Sequence, residues 1–236
     1  MTWSIVARDP DEGTLAAAVS TRFFAVGALC PHVAGGVGAV CTQALINPLY
    51  GLDAMDLLRQ KVAPADIVAR LTGPDPGATV RQLHMIDAQG RIAQHTGSGC
   101  VDWCGHVAGA DFSVAGNMLA GPRVIAATAE RFAATRGQPM AERLIQALEA
   151  GEAAGGDKRG KQSAALKICS TEAYPDLDLR VDDHAEPLVE LRRLYVKSRE
   201  RYAVFRRFFA TRANPAGTYD RAVIEAAIAK EGITTP

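Results

Sequence analysis

The chain has 236 residues, 48% of them hydrophobic and 22% charged, an ordinary composition for a globular protein built on one large domain. Basic and acidic residues each number 26, so the formal net charge is zero, which argues against nucleic acid as a partner. Five cysteines with no leading secretory segment are too few for a disulfide-stapled chain, and they predict a reducing, cytoplasmic location.

Residues 23–52 contain no Asp, Glu, Lys or Arg, and this is where a membrane span would be sought. Pro31 and Pro48, together with the polar residues Gln43 and Asn47, interrupt any continuous apolar helix through the segment. We therefore expect buried strands and tight loops here, and no contact with a membrane.

The hydrophobic pattern predicts alternating groups of strands and helices. An opening hairpin is expected at residues 2–7 and 14–20, with a further strand at 37–42. The remaining elements are predicted as helices at 51–62 and 64–71, strands at 79–86, 91–95, 101–108 and 112–115, helices at 122–135 and 139–150, and strands at 162–169 and 177–181. Two groups of strands, each followed by a helix pair, favour an α+β fold, a four-layer αββα sandwich with helices outside two sheets.

The end of the chain has a different pattern, and we divide it into a domain at residues 1–185 and a C-terminal helical extension at 186–236. Apolar residues recur at spacings of three and four from Leu188 to Phe209, which predicts one long helix. Between Leu188 and Arg212 there are eight basic and two acidic residues. We expect a solvated basic face on a helix that packs on the body or on a second copy, and we favour a homodimer without requiring one.

Residues 155–166 nearly match a phosphate-binding loop through Gly155, Gly160 and Lys161. Gln162 stands where Ser or Thr should bind magnesium, and a predicted helix precedes the segment where a strand is required. We expect no nucleotide and no other cofactor.

His95, Cys100, Cys104 and His106 lie close together in the sequence and include the donor types of a zinc site. Their spacing is not that of a cysteine knuckle, and free cysteines are often buried as small hydrophobic residues. We expect no metal here, and we keep as a further alternative a metal-dependent hydrolase that uses His95, Cys104, His106 or Asp182.

Thr2 is the hydroxyl residue of greatest interest. If Met1 is removed, the α-amine of Thr2, with a pKa of about 8, lies beside its own hydroxyl and acts as its base. No G-x-S-x-G motif is present, so an ordinary serine triad is not supported. Three dipeptides are alternative sites of internal self-cleavage: Gly13-Thr14, Gly97-Ser98 and Gly99-Cys100.

The opening of the chain, from Thr2 through residues 13–19 to Arg22 and Gly27, resembles that of proteasome-type subunits, in which a terminal threonine begins a strand and a hairpin follows. The loops at 115–121 and 156–165 are similar to two later loops of those subunits. More specifically, TWSIVARDP, RFFAVGALCPH, TQALINPLYG, GNMLAGP, GGDKRGKQSAAL and LDLRVDDH resemble the bacterial family called domain of unknown function 1028, placed in the N-terminal-nucleophile (Ntn) hydrolase superfamily. The resemblance covers residues 2–194.

The resemblance implies an Ntn fold and a role for each matching residue. The nucleophile would be Thr2, Arg22 a structural arginine beside it, Gly116 and Asn117 an oxyanion-side loop, and Asp157 and Ser163 the groups that orient the amine.

Two departures from the proteasome pattern affect the expected activity. Ser20 stands where an acidic residue belongs, and the first lysine is Lys61, so the partner lysine is missing. The resemblance therefore favours an amidase acting on a small amide or peptide-like bond over a processive protease. The alternative is a catalytically inactive homo-oligomeric binding or scaffold protein of the same fold, which retention of Met1 would favour.

Overall fold

The computed structural model of the protein describes residues 2–232. Contacts between residues divide the chain into two compact units, one ending at Leu191 and the other beginning at Arg192. The first unit is a mixed α+β structure of two antiparallel sheets, with ten strands in all among the described residues.

The larger sheet has six antiparallel strands in the order β10-β9-β2-β1-β8-β7. These strands are β1 (Thr2–Arg8), β2 (Leu15–Thr21), β7 (Trp103–Gly109), β8 (Phe112–Leu119), β9 (Ser163–Cys169) and β10 (Leu177–Val181). The central strands β1 and β2 are buried almost throughout, because they are covered on both faces. The predicted opening hairpin is confirmed, and its first strand lies between β2 and β8.

The smaller sheet has four antiparallel strands in the order β3-β4-β5-β6. They are β3 (Pro31–Ala34), β4 (Gly38–Ala44), β5 (Arg81–Asp87) and β6 (Ile92–Thr96). The sequence pattern missed β3, which is short and begins with a proline. Pro31 is compatible with the strand because it occupies the first position of an edge strand.

The two sheets pack against each other through apolar side chains. Val6 and Val19 of the large sheet share one buried cluster with Ala39, Cys41 and Ile86 of the small sheet. Fully buried aliphatic residues of this kind supply the main favourable free energy of folding.

Each sheet also contacts a pair of helices. Helices α1 (Pro48–Arg59) and α2 (Pro64–Thr72) contact the small sheet, whereas α3 (Arg123–Ala134) and α4 (Met140–Ala153) pack together and contact the large sheet. Helix α1 begins where Asn47 accepts a hydrogen bond from the Leu49 N–H and proline occupies the first turn. None of the helices within residues 2–232 combines the length and apolar character needed to span a membrane.

The predicted single helix from Leu188 to Phe209 is wrong. Helix α5 (Pro187–Ser198) ends at Ser198, and α6 (Arg201–Phe205) begins after a turn. The Ser198 hydroxyl donates to the Tyr195 carbonyl, and Arg199 and Glu200 donate to carbonyls three residues earlier, so the helical ladder tightens and stops.

The second unit has its own small apolar cluster. Val204 packs with Ile224 and Ile228 of α7 (Arg221–Lys230). An ion pair between Arg201 and Glu225 links the same two helices.

Candidate functional site

Thr2 is the first residue of β1, which lies between β2 and β8 in the large sheet. It pairs with Thr21 of β2 on one side and with Asn117 of β8 on the other. Its Oγ1 is 3.1 Å from the Oγ1 of Thr21, and the residue is 8% exposed. Antiparallel pairing thus brings Thr2 and Asn117, which are far apart in sequence, side by side where β1 begins.

Thr2 lines a cavity of about 400 Å³ that opens at this point. Most of its wall is apolar and comes from separate segments, including Val26, Leu29, Ile46 and Met118. A cavity of this volume and composition is typical of a small-molecule site, with few polar groups among many apolar ones.

Residues 23–26 form part of that wall, and the predicted residues Asp157 and Ser163 hold the loop 22–26 in place. The Arg22 N–H donates to Asp157 Oδ2 at 2.7 Å. The Ser163 hydroxyl donates to the Phe23 carbonyl at 2.5 Å and accepts from the Val26 N–H at 3.2 Å. Within residues 2–232, both side chains therefore bond this loop rather than Thr2.

Arg22 and Arg159 meet at the turn that follows Asp157. The Arg22 guanidinium donates from Nη1 to the Arg159 carbonyl at 2.8 Å, so Arg22 fixes the turn. The Asp157 carboxylate is 1% exposed, accepts from the Arg159 N–H at 2.8 Å, and lies 3.3 Å from the Arg159 guanidinium. Arg159 itself lines the cavity, whereas Arg22 is outside the lining and contacts it through the Arg159 carbonyl.

Asn117 lies in the cavity with an unusual hydrogen-bonding pattern. Its Nδ2 donates to Gln82 Oε1 at 3.0 Å and to the Thr2 carbonyl at 3.4 Å. Its Oδ1 is buried and has no hydrogen-bond partner among the described residues. A buried acceptor without a donor costs about 1–3 kcal/mol, so this atom is a natural contact for a ligand N–H group.

Gly116, the neighbour of Asn117 on β8, lies against Leu119 and Trp3. A Cβ there would lie 2.5 Å from Leu119 Cδ1 and 3.1 Å from Trp3 Cβ. This close packing explains why position 116 is a glycine.

The strand pairing is irregular just beyond Asn117. Trp103 pairs with Leu119 but Gly105 pairs with Gly116, so β8 has an extra residue at this point. Met118 has a φ of 54° at this bulge, a backbone conformation that is unfavourable for a side chain with a Cβ. Bulges next to sites turn backbone groups away from the ladder, and Met118 lines the cavity.

A buried polar network lies beneath the cavity between the two sheets. Gln43 Nε2 donates to Gln82 Oε1 at 2.7 Å, and Ser4 donates to Gln43 Oε1 at 2.6 Å. Because the Ser4 proton is used in that bond, its oxygen accepts from His84 Nε2 at 2.8 Å. Nδ1 of His84 is 2.8 Å from the Ser113 hydroxyl. The chain of bonds orients Gln82, which in turn orients Asn117.

Two cysteines also line the cavity, but their environments disfavour thiolates. Burial raises the pKa of the Cys30 thiol, and the neighbouring Cys41 raises it further. Burial, followed by the charge of Cys104, raises the pKa of Cys100. A thiol with a raised pKa is protonated at neutral pH and is a weak nucleophile. Gly99 and Cys100, one of the dipeptides considered for self-cleavage, lie in the same cavity as Thr2.

The residues considered for zinc bind separate partners. His95 Nε2 is 2.8 Å from the Ala78 carbonyl, and His106 Nδ1 is 2.9 Å from Thr96 Oγ1. Cys100 donates to the Arg81 carbonyl, and Asp182 pairs with Arg180. In the described part of the chain, no three His, Cys, Asp or Glu side chains are grouped so as to hold a metal ion.

Arg159, Thr21, Gln43, Gln82 and Met118 were not predicted as site residues. A signal existed only for the glutamines, which are uncharged polar residues in segments rich in apolar residues, and the structure buries both of them. Polar residues buried in a sheet need partners and so often mark a network.

The protein is thus built of two packed antiparallel sheets, and Thr2 lies in a mostly apolar cavity at the start of β1. The chain belongs to the family of unknown function DUF1028, whose family model matches residues 2–191.

Among solved structures, the chain is similar to a protein assigned to the same family, SPO2555 from Silicibacter pomeroyi. The two share 31% identity with a TM-score of 0.86, covering 93% of this chain and 96% of that one. Anbu (ancestral beta-subunit) from Yersinia bercovieri has 12% identity and a TM-score of 0.39, covering 89% of this chain and 99% of that one, a likeness too weak to support an argument. No curated protein matches the chain.

Proposed function

We propose that the protein is an Ntn-type amidohydrolase with a four-layer αββα sandwich, and that it cleaves a small amide or peptide-like bond. The observation that carries the proposal is the position of Thr2, at the first residue of a central strand and in the wall of the cavity. The helix pair that contacts each sheet and the motifs that resemble Ntn hydrolases support the same assignment.

In the proposed reaction, removal of Met1 frees the α-amine of Thr2, which takes the proton of the Thr2 hydroxyl as Oγ1 attacks the carbonyl carbon. An amine with a pKa of about 8 serves as base near neutral pH. The acyl group is transferred to Oγ1, the C–N bond breaks, and the amine leaves with a proton. Water then hydrolyses the ester and regenerates the hydroxyl.

The developing oxyanion needs donors that already point into the site. We assign this role to backbone N–H groups at the bulge of residues 116–118, because the Asn117 side-chain Nδ2 already donates to Gln82 and Thr2. Asp157, Ser163 and Arg22 act as positioning residues, since they hold the wall that the substrate contacts.

Amide hydrolysis by substituted proteins tests the proposal. With a chromogenic anilide of phenylacetic acid as substrate, Thr2→Ala should lower kcat/KM by at least about 1000-fold, because the nucleophile is lost. Thr2→Ser should keep part of the activity. Thr171→Ala, in an exposed loop, is the matched control and should leave activity unchanged. Equal activity in Thr2→Ala and in the unsubstituted protein would refute the proposal.

A catalytically inactive binding protein is the second candidate. The specific observation in its favour is that the Thr2 hydroxyl is bonded to the hydroxyl of Thr21, and neither group is a base. Binding of the anilide without turnover, in protein whose Thr2 amine is free, would favour this candidate.

A further inference from the structure

The cavity has features that together restrict its ligand, and this inference rests on the proposed function for the identity of the scissile bond. Its buried end carries Thr2 and Asn117, whereas its open side carries exposed apolar side chains such as Phe24 and Leu45. The substrate must therefore have an apolar body that lies between the reacting carbonyl and the opening.

At the buried end, the Asn117 side chain offers a free acceptor and no spare donor. Asn117 Oδ1 has no partner in the described chain, and its Nδ2 already donates to two acceptors. A ligand that satisfies this oxygen must carry an N–H or O–H donor, and the scissile group of a secondary amide has such an N–H, whereas that of an ester has none. An acceptor left unpaired in a buried site disfavours the ligand without the N–H group.

The cavity lining contains one charged side chain within residues 2–232, that of Arg159. The guanidinium of Arg159 donates to the Asp157 carboxylate from Nε at 3.5 Å and from Nη2 at 3.3 Å. These two bonds hold the guanidinium in a fixed orientation. The Arg159 side chain is 42% exposed, and among the described residues its Nη1 makes no hydrogen bond. A positioned guanidinium with a free edge is the usual partner of a carboxylate.

We propose that the substrate is an N-acylated amino acid with an apolar acyl group, and that Arg159 binds its carboxylate while Asn117 Oδ1 accepts its amide N–H. Hydrolysis gives the apolar carboxylic acid and the free amino acid, with water as the only co-reactant.

Binding and hydrolysis of two matched probes, N-phenylacetylglycine and its neutral counterpart N-phenylacetylglycinamide, test the proposal. Calorimetry on Thr2→Ala measures recognition without turnover. We expect the carboxylate probe to bind at least about 10-fold more tightly than the neutral one, which corresponds to one charge-assisted hydrogen bond. Equal affinities for the two probes, or no binding of either probe, would overturn the proposal. This test needs no substitution of Arg159.

Substitution of Arg159 then identifies the residue responsible. Arg159→Gln keeps an N–H donor for Asp157 but removes the charge, and in the Thr2→Ala background it should abolish the preference for the carboxylate probe. Arg123→Gln is the matched control, because Arg123 lies on α3, where it pairs with Glu130. If the preference survives Arg159→Gln in folded protein, the assignment of Arg159 is wrong.

The two proposals fail in different ways. If Thr2→Ala shows the preference but the unsubstituted protein hydrolyses neither probe, the recognition stands and the proposed activity falls. If the unsubstituted protein hydrolyses both probes with equal kcat/KM, the activity stands and the substrate class falls.

Discussion

At the scale of single residues, Asp157 connects more of the site than any other predicted residue. Its buried carboxylate accepts from the Arg22 N–H, which fixes the cavity wall, and it orients the Arg159 guanidinium. Asp157→Asn should lower the free energy of unfolding by about 1.5–3 kcal/mol, the usual contribution of a hydrogen bond to a charged group. Urea unfolding measures this change.

The control is Asp102→Asn. Asp102 is a half-exposed carboxylate 3.4 Å from Lys158, and exposed ion pairs contribute little. We expect a change below about 0.5 kcal/mol there. Equal losses at the two positions would show that Asp157 has no special structural role.

Asp75 gives a prediction for pH. Hydrogen bonds from the Tyr50 hydroxyl, the Gly77 N–H and Arg81 lower the pKa of Asp75 to about 2. The folded state therefore binds this proton more weakly than the unfolded state, so the contribution of Asp75 to stability is present above about pH 4 and is lost as pH falls towards 2. Unfolding midpoints between pH 2 and 5 should fall less steeply for Asp75→Asn. Parallel pH profiles would contradict this.

Among the site residues, Thr2 is the one that sequence alone identifies from its own chemistry. The position of Asn117 beside it depends on the pairing of β1 with β8, and in this sequence only the family resemblance pointed to it. Arg159 could not be predicted as a site residue, because an arginine in a turn belongs to no hydrophobic pattern. The orientation of its side chain depends on the buried Asp157.

At the scale of elements, the packing of β8 against Trp3 and Leu119 makes a prediction about Gly116. Gly116→Ala should lower the free energy of unfolding by about 1–3 kcal/mol, because the added methyl group overlaps buried atoms. Gly121→Ala is the matched control, since a Cβ there meets no atom within 4 Å. Thermal unfolding of the two variants compares them directly, and equal midpoints would refute the packing argument.

Elements with a strong period were predicted well, and those set by local capping were not. The strand predicted at 177–181 has the same bounds in the structure, because its side chains alternate between the two faces. The prediction of one long C-terminal helix failed because periodicity does not register the Ser198 hydroxyl, which donates to the Tyr195 carbonyl where α5 ends. Strand β3 was not predicted, because four residues beginning with Pro31 are too few to show an alternation of apolar and polar side chains.

At the scale of the whole molecule, the order of strands and helices was sufficient to predict two sheets with attached helix pairs, since each apolar face must be covered. The order of strands within each sheet could not be predicted in this way, because non-local pairing leaves no local signal. That order places the first strand at the centre of the large sheet and its first residue in the cavity.

An N-terminal threonine nucleophile is tested by the intact mass of untagged protein before and after treatment with a β-lactone, followed by peptide mapping. We expect loss of Met1 and one acyl adduct on Thr2, and no adduct in Thr2→Ala. A chain that keeps Met1 and takes no adduct, or an adduct on Cys30 or Cys100 in its place, would contradict an N-terminal threonine nucleophile.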